Sequence, residues 1–214
     1  MLFRSQGTYN GTGNSYTSNS VNTTNSLGGA LFNDQGTMLN TNCSFTTDSS
    51  GRNGGAIYNA NGTAVTTNVH CTFSSCYAGN IGGAISINAG TVNSDSCVFS
   101  TNKSASAGGA IFQNAGNSTN VKCTFNGNQS QTTGAYHVKT GIGSVTNCLF
   151  YNNSSSSYGG ALVTETVTAN LTITNCTIYG NSATTAAGGI GSQAGTINLN
   201  NSIIWGNISP EVRK

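Results

Sequence analysis

Short stretches of alternating apolar and polar residues run along the whole chain, and none of them is long enough for a helix. A typical stretch is Cys97-Val98-Phe99, in which the two residues that flank Val98 fall on one face. Alternation over so few residues predicts short β-strands with one buried side. Asn, Gly and Ser separate these stretches, as expected of turns.

Two motifs repeat at a nearly constant interval. The first is Gly-Gly-Ala followed by Ile or Leu, and its copies and variants begin at residues 28, 54, 82, 108, 133, 159 and 187. The second is Cys-x-Phe-x-x-Asn, and it keeps the same period of 25 to 28 residues. The residues of the clearest copies are Gly28, Gly29, Gly54, Gly55, Gly82, Gly83, Gly108, Gly109, Gly159, Gly160, Phe99, Asn102, Phe125, Asn128, Phe150 and Asn153.

This period predicts an all-β fold, a right-handed parallel β-helix of about seven coils with three short strands per coil and no helices of note. Right-handedness follows from the general preference for right-handed crossovers. We expect one domain over residues 1–214, with a degraded first coil in 1–27, regular coils in 28–207 and a truncated end in 208–214. A β-sandwich or an up-and-down barrel would not require the same residue type at the same phase of every repeat.

Equivalent residues of a parallel coil lie above one another about 4.8 Å apart. The aliphatic residue of the first motif and the aromatic residue of the second should therefore form two inward-facing columns. The paired glycines indicate a bend that leaves no room for a Cβ or that needs a positive φ. The Asn residues suit a turn, where an amide tolerates the left-handed conformation and can bond to the next coil.

Six of the seven cysteines share one phase, and the strand parity places them inside. We expect buried thiols that act as small hydrophobic groups, with disulfides between neighbouring coils as the alternative. Cys76 lies in the turn phase, and we expect it to be the exposed cysteine. No metal site is expected, because neither His70 nor His137 shares a column with a cysteine.

Composition excludes several classes of function. Only 6% of residues are charged and the formal net charge is +2, which is too little for a nucleic-acid surface. No apolar run reaches the about 18 residues of a membrane-spanning helix. The N-terminal residues contain no signal peptide, so an export signal or an anchor would lie outside this chain.

The acidic residues do not pair as catalysis requires. Asp34 and Glu165 share a phase but are five coils apart, or about 24 Å, whereas paired glycosidase carboxylates lie within about 10 Å. Glu165 should form a surface salt bridge with Lys139, and no acid shares the rung of His137. We therefore expect no catalytic residue, no cofactor and no enzymatic activity in this segment.

The phased combination of Gly-Gly-Ala-(Ile/Leu) and Phe-x-x-Asn resembles the repeats of the polymorphic outer-membrane proteins of chlamydiae and of similar bacterial proteins. The resemblance covers about residues 14–207. It implies a β-helical passenger that is displayed outside the cell and carried by a separate C-terminal membrane domain. In that family the repeat tetrapeptides have been implicated in adhesion to host cells.

We therefore expect a fragment of an extracellular, cell-surface or outer-membrane protein that acts as an adhesin passenger or as a structural stalk. Its partners would be a host-cell or matrix surface, glycans, and neighbouring coils or domains of a longer chain. The repeat residues named above are the predicted binding residues. A carbohydrate-binding or polysaccharide-degrading β-helix is the alternative, and an ice- or crystal-binding face is a third hypothesis because threonines recur beside the strands.

Overall fold

The chain folds into a solenoid of parallel β-strands. The computed structural model describes residues 3–209 and 212–213. Within these residues every regular element is a β-strand, and the strands form four parallel sheets over about eight turns. The prediction of an all-β parallel β-helix is confirmed, and the number of turns is close to the seven predicted.

The first seven turns each contribute one strand to each sheet, in the order A, B, C and D. Sheet A consists of Phe3–Ser5, Leu31–Asn33, Ile57–Asn59, Ile85–Ile87, Ile111–Gln113, Tyr136–Val138, Leu162–Thr164, Ile190–Ser192 and Val212–Arg213. Sheet B consists of Thr8–Thr12, Thr37–Thr41, Val65–Val69, Thr91–Asp95, Asn117–Val121, Gly141–Thr146, Ala169–Thr174 and Thr196–Asn200. Sheet C consists of Ser15–Thr17, Ser44–Thr46, Thr72–Ser74, Val98–Ser100, Thr124–Asn126, Leu149–Tyr151, Thr177–Tyr179 and Ile203–Trp205. Sheet D consists of Ser20–Val21, Ser49–Ser50, Tyr77–Ala78, Lys103–Ser104, Gln129–Ser130, Ser154–Ser155 and Ser182–Ala183.

The prediction of three strands per coil is wrong, because sheet D supplies a fourth. Its strands have only two residues, such as Lys103–Ser104 and Gln129–Ser130. The buried residue of each pair is small, like Ser104, and the other is polar or exposed. Two residues without a large apolar side chain give no alternation that a sequence pattern could detect.

The aromatic residues form a continuous stack through the core. Phe73 pairs with Phe99 and Phe99 with Phe125 in direct register. Their ring centroids are 4.8 and 4.7 Å apart and their planes differ by 3° and 5°. Tyr16 extends the stack onto Phe45 at 4.6 Å. The predicted inward aromatic column is therefore confirmed, and each ring is held between equivalent residues of the two adjacent coils.

The paired glycines serve both purposes that their positions suggested. Gly82 has a φ of 67°, a left-handed conformation that costs glycine little. Gly83 has no room for a side chain, because an added Cβ would collide with the carbonyl oxygen of Gly109 on the next coil. The same division holds for Gly108, with a φ of 66°, and Gly109.

The Asn residues of the second motif point inward and form a ladder. The side-chain amide of Asn102 donates to Oδ1 of Asn128 at 3.0 Å and to the carbonyl of Phe73 at 3.0 Å. Asn128 repeats the pattern with Asn153 at 2.9 Å. The predicted bond to the next coil is confirmed. The left-handed conformation was assigned to the wrong residue, because it falls one position earlier, as at Thr101 with a φ of 53°.

The ladder has two irregular members. Asp48 accepts two bonds from Asn19 at Oδ1, at 2.9 and 2.8 Å, but its Oδ2 is buried without a hydrogen-bond partner. Burial raises the pKa of Asp48 to about 6, although the bonds from Asn19 oppose this shift. Cys76 occupies the next rung and is fully buried. The prediction that Cys76 is exposed is wrong, because this turn position faces the core.

Replacing a central phenylalanine should destabilise the stack strongly. We expect Phe99→Ala to lower the free energy of unfolding by about 3–5 kcal/mol, because it leaves a cavity between two rings. Val98→Ala is the matched control, since Val98 is 39% exposed on the outer face of the same strand. Urea unfolding followed by circular dichroism measures both. A loss below about 1 kcal/mol for Phe99→Ala would contradict this account of the core.

A side-chain amide at position 48, in place of the carboxylate, should stabilise the protein. We expect Asp48→Asn to raise the free energy of unfolding at pH 7 by about 1–3 kcal/mol, the usual cost of an unpaired buried polar group. The folded pKa, about 6, lies above the ordinary value of 3.8. The wild type therefore gains stability as the pH falls through about 6 and loses it as the pH rises.

The advantage of Asp48→Asn should accordingly shrink between pH 7 and pH 4 in urea unfolding. Asp95→Asn, which removes an exposed carboxylate, is the control. An advantage that grew on acidification would refute the explanation by burial.

Candidate functional site

The residues predicted as binding residues lie inside the coil. All ten glycines are buried, and the three phenylalanines and three asparagines are 0% exposed. These residues therefore shape the solenoid from inside. A binding partner would contact other residues, which the repeat positions on the outer surface. That the repeats support binding by positioning these surface residues stays a prediction.

The cysteines are also interior groups. All seven are free and buried, and in the six-residue column the amide of Cys71 donates to Sγ of Cys97 at 3.4 Å. Cys76 lies outside that column, and burial raises the pKa of its thiol to about 12. A buried thiol of that pKa is a poor nucleophile. Cys76 therefore contributes packing rather than a reactive group, and the other six thiols are buried in the same core.

The outer face of sheet A has one pocket near its N-terminal end and another in its middle, and we call this face the groove. Each three-residue strand of this sheet turns its middle residue outward, and these residues form the floor. The segment that connects sheet D to sheet A folds back over the floor and makes one wall, as where Gly28 lies against Tyr58. The turn that follows sheet A makes the other wall. The floor residues are Arg4, Phe32, Tyr58, Ser86, Phe112, His137, Val163 and Gly191.

The groove widens in the middle into a pocket of about 410 Å³, which we call the central depression. Phe112 and His137 form its floor, and their rings stack at 4.9 Å. Its wall and rim residues are Asn80, Ile81, Ser106, Ala107, Asn114, Thr132, Lys139, Glu165 and Gln193.

His137 links two polar residues in a chain of hydrogen bonds. Its Nδ1 lies 2.8 Å from Oγ1 of Thr133, and its Nε2 lies 2.9 Å from Oε2 of Glu165. A carboxylate can only accept, so Nε2 carries a proton and donates to Glu165. In the neutral ring Nδ1 is then the acceptor, and the hydroxyl of Thr133 donates to it.

One expectation about this region is wrong, because Glu165 is bonded to His137 rather than to Lys139. No acid shares the rung of His137, as expected, but the histidine still has an acid partner. The rung partner of His137 on the next coil is Val163, and Glu165 lies two residues beyond it in the following turn. A contact with this offset is missed when only residues of equal phase are compared. Lys139 remains close enough for its charge to influence both partners.

Thr133 reaches His137 because the repeat changes at this point. In the four preceding copies a left-handed glycine occupies the position, as at Gly108 with a φ of 66°. Thr133 instead occupies the position of the first glycine of the repeat, and it forms a β-bridge with Gly159 on the next coil. In the earlier coils the residue before the two glycines forms this bridge. The altered segment brings the hydroxyl over the floor of sheet A, where it fixes the orientation of the imidazole.

The pair is electrostatically asymmetric. His137 is 1% exposed, while the side chain of Glu165 is 33% exposed. Burial lowers the pKa of His137, an effect that the neighbouring carboxylate only partly offsets. The hydrogen bond from His137 holds the pKa of Glu165 below its usual value. At neutral pH the depression therefore contains a neutral imidazole, an ionised carboxylate and the ammonium group of Lys139.

An ion pair with the same offset between its partners lies near the N-terminal end of the groove. Arg4 occupies the same floor column as His137 and bonds at 2.6 Å to Asp34, which lies two residues beyond the rung partner of Arg4. Gln6 also donates to Asp34 at 2.8 Å, and these bonds lower the pKa of the carboxyl. The Arg4–Asp34 ion pair and the hydrogen bond from His137 to Glu165 thus both lie along this groove.

The described residues offer neither a cluster of metal ligands nor a membrane-spanning helix. No group of three or more potential metal ligands comes together in residues 3–209 and 212–213. The same residues contain no helix that is long and apolar enough to cross a membrane.

These features define a parallel β-helix repeat protein with a polar groove on one sheet. The family model of the Chlamydia polymorphic membrane protein repeat matches residues 96–114 and 147–165. The matches cover equivalent parts of two coils, from the turn before sheet C to the turn after sheet A. These two segments are therefore similar to the repeat of this family, and the resemblance inferred from the motifs is confirmed. Searches of curated proteins and of solved structures found no match.

The neutral state of buried His137 makes a pH-dependent contribution to stability. Because its folded pKa is below the unfolded value, the unfolded chain takes up a proton first as the pH falls from about 7 to 5, and stability is lost. We expect the advantage of the wild type over His137→Phe to shrink across this range. Thermal unfolding at each pH measures it, with His70→Asn at an exposed position as the control. An advantage that increased toward pH 5 would mean that the imidazole is charged in the fold.

Proposed function

We propose that the chain is a non-catalytic segment of a surface-displayed passenger, and that it makes adhesive contacts with a cell or matrix surface. The observation that carries this proposal is the match of two coils to the Chlamydia polymorphic membrane protein repeat, whose family is associated with the outer membrane or cell surface. The regular stack supports it, because an uninterrupted solenoid presents extended outer faces.

The chemistry of the groove supports a role without turnover. Asp34, the other carboxylate of the Glu165 column among the described residues, is about 24 Å away, which is too far for a glycosidase pair. Thr133 is hydrogen-bonded to His137 but is 0% exposed. A nucleophile without access to solvent cannot attack a substrate.

Adhesion is tested with beads that carry the folded chain. We expect such beads to bind cultured epithelial cells or extracellular matrix, and beads that carry the heat-unfolded chain to lose most of this binding. A panel of neutral and acidic polysaccharides incubated with the same protein should yield no shortened products. Product release would overturn the non-catalytic assignment. Absence of binding by the folded chain would refute adhesion and leave a structural stalk.

Mutations of the repeat residues themselves are unsuitable for this test. Gly83 and Phe99 are buried, so their replacement alters folding before it alters any contact. Thr119 and Thr172 are matched outward positions on sheet B. Their replacement by Lys changes the surface of a face that the groove does not include.

A further inference from the structure

Charge is concentrated on the groove in a chain that otherwise has little. Of the nine Asp, Glu, Lys and Arg residues between positions 3 and 209, five lie along it: Arg4, Asp34, Arg52, Lys139 and Glu165. The chain has only 6% charged residues. The stacking of coils does not require charged groups on one face of the solenoid. Their concentration there therefore points to recognition.

The central depression has a preorganised hydrogen-bond acceptor. Thr133 orients His137, and His137 holds Glu165 through one of the about four bonds that a carboxylate accepts. The remaining capacity of Glu165 is available to a ligand, since the side chain is 33% exposed. A fixed acceptor loses little conformational entropy on binding.

The floor of the groove cannot add a peptide strand. Leu31–Asn33 through Leu162–Thr164 of sheet A are paired with a parallel strand on both sides, so no backbone edge is open for β-augmentation. Recognition must come from side chains. The amides of Asn80, Asn114 and Gln193 and the hydroxyl of Ser106 surround an apolar floor at Phe112, which suits a ligand with many hydroxyl groups and a C–H face.

The central depression is elongated along the axis of the solenoid, and this favours an elongated ligand. Asn114, Lys139, Glu165 and Gln193 come from four consecutive coils, and three steps of about 4.8 Å span about 14 Å along the axis. The formal charges of Lys139 and Glu165 cancel beside neutral His137. The site thus favours an elongated ligand without net charge.

We propose that the central depression binds a neutral oligosaccharide segment that lies along the helix axis. Glu165 accepts hydrogen bonds from sugar hydroxyls, and Lys139 and Gln193 donate to sugar oxygens. Ile81 contacts the apolar face of a sugar ring beside the edge of Phe112. His137 is a positioning residue that acts through Glu165. This inference rests on the proposed adhesive function, for which it supplies a ligand class.

The test uses the full chain on an array of linear neutral oligosaccharides, acidic oligosaccharides and peptides, followed by titration calorimetry with the neutral sugar that binds best. We expect Glu165→Gln and Lys139→Met each to weaken binding at least tenfold. The matched controls Asp95→Asn and Lys122→Met remove the same charges at exposed positions outside the groove and should leave binding unchanged. Equal thermal unfolding midpoints establish that the variants are folded, and Gln193→Ala, at an exposed position, replaces any variant that is not.

The proposal would be overturned if the chain bound no neutral sugar, or if it bound only acidic sugars or peptides. Equal binding by the groove variants and the control variants would also overturn it. The bead assay separates it from the proposed function. Cell adhesion that survives in Glu165→Gln would leave adhesion standing and remove the groove as its cause. Sugar binding without cell adhesion would leave the groove standing and remove adhesion.

Discussion

Hydrogen bonding between parallel strands of successive coils is the constraint on which the rest of this structure depends. Because each residue stacks on the residue of equal phase about 4.8 Å away, the phases that face the core favour side chains that pack against copies of themselves. Phenylalanine meets this condition through stacked rings, with centroids 4.5 to 4.8 Å apart from Phe45 to Phe150. Glycine meets it where Gly83 and Gly109 allow the backbones of adjacent coils to approach. Stability then accumulates approximately coil by coil.

The same constraint explains how a core can contain a row of amides. An amide both donates and accepts, so Asn102, Asn128 and Asn153 satisfy one another in a chain that also includes the backbone. A carboxylate accepts only, and Asp48 therefore leaves one oxygen unpaired. Cys76 fits the space but accepts weakly, so the amide ladder is interrupted at these two rungs.

The sequence was sufficient to predict contacts between residues at the same phase of successive repeats. It was insufficient to predict contacts between residues at different phases. The inward columns of Phe99 and Ile85 follow from periodicity alone, because each large side chain recurs in every coil. The strands of sheet D were missed since Lys103–Ser104 carries no apolar alternation. The burial of Cys76 was missed because a turn was equated with the surface. The contact between His137 and Glu165 was missed because the two residues lie in different columns.

The repeat changes at Thr133, and the change brings together side chains that stacking alone does not require. Thr133 gives up the left-handed glycine of the earlier coils and orients a buried imidazole instead. Placing that imidazole under the neighbouring wall costs solvation, which the lowered pKa of His137 reflects. A solenoid could avoid this cost with an aliphatic residue, as it does one coil later at Val163. The arrangement is therefore better explained by the orientation of Glu165 toward a ligand than by the stability of the coil.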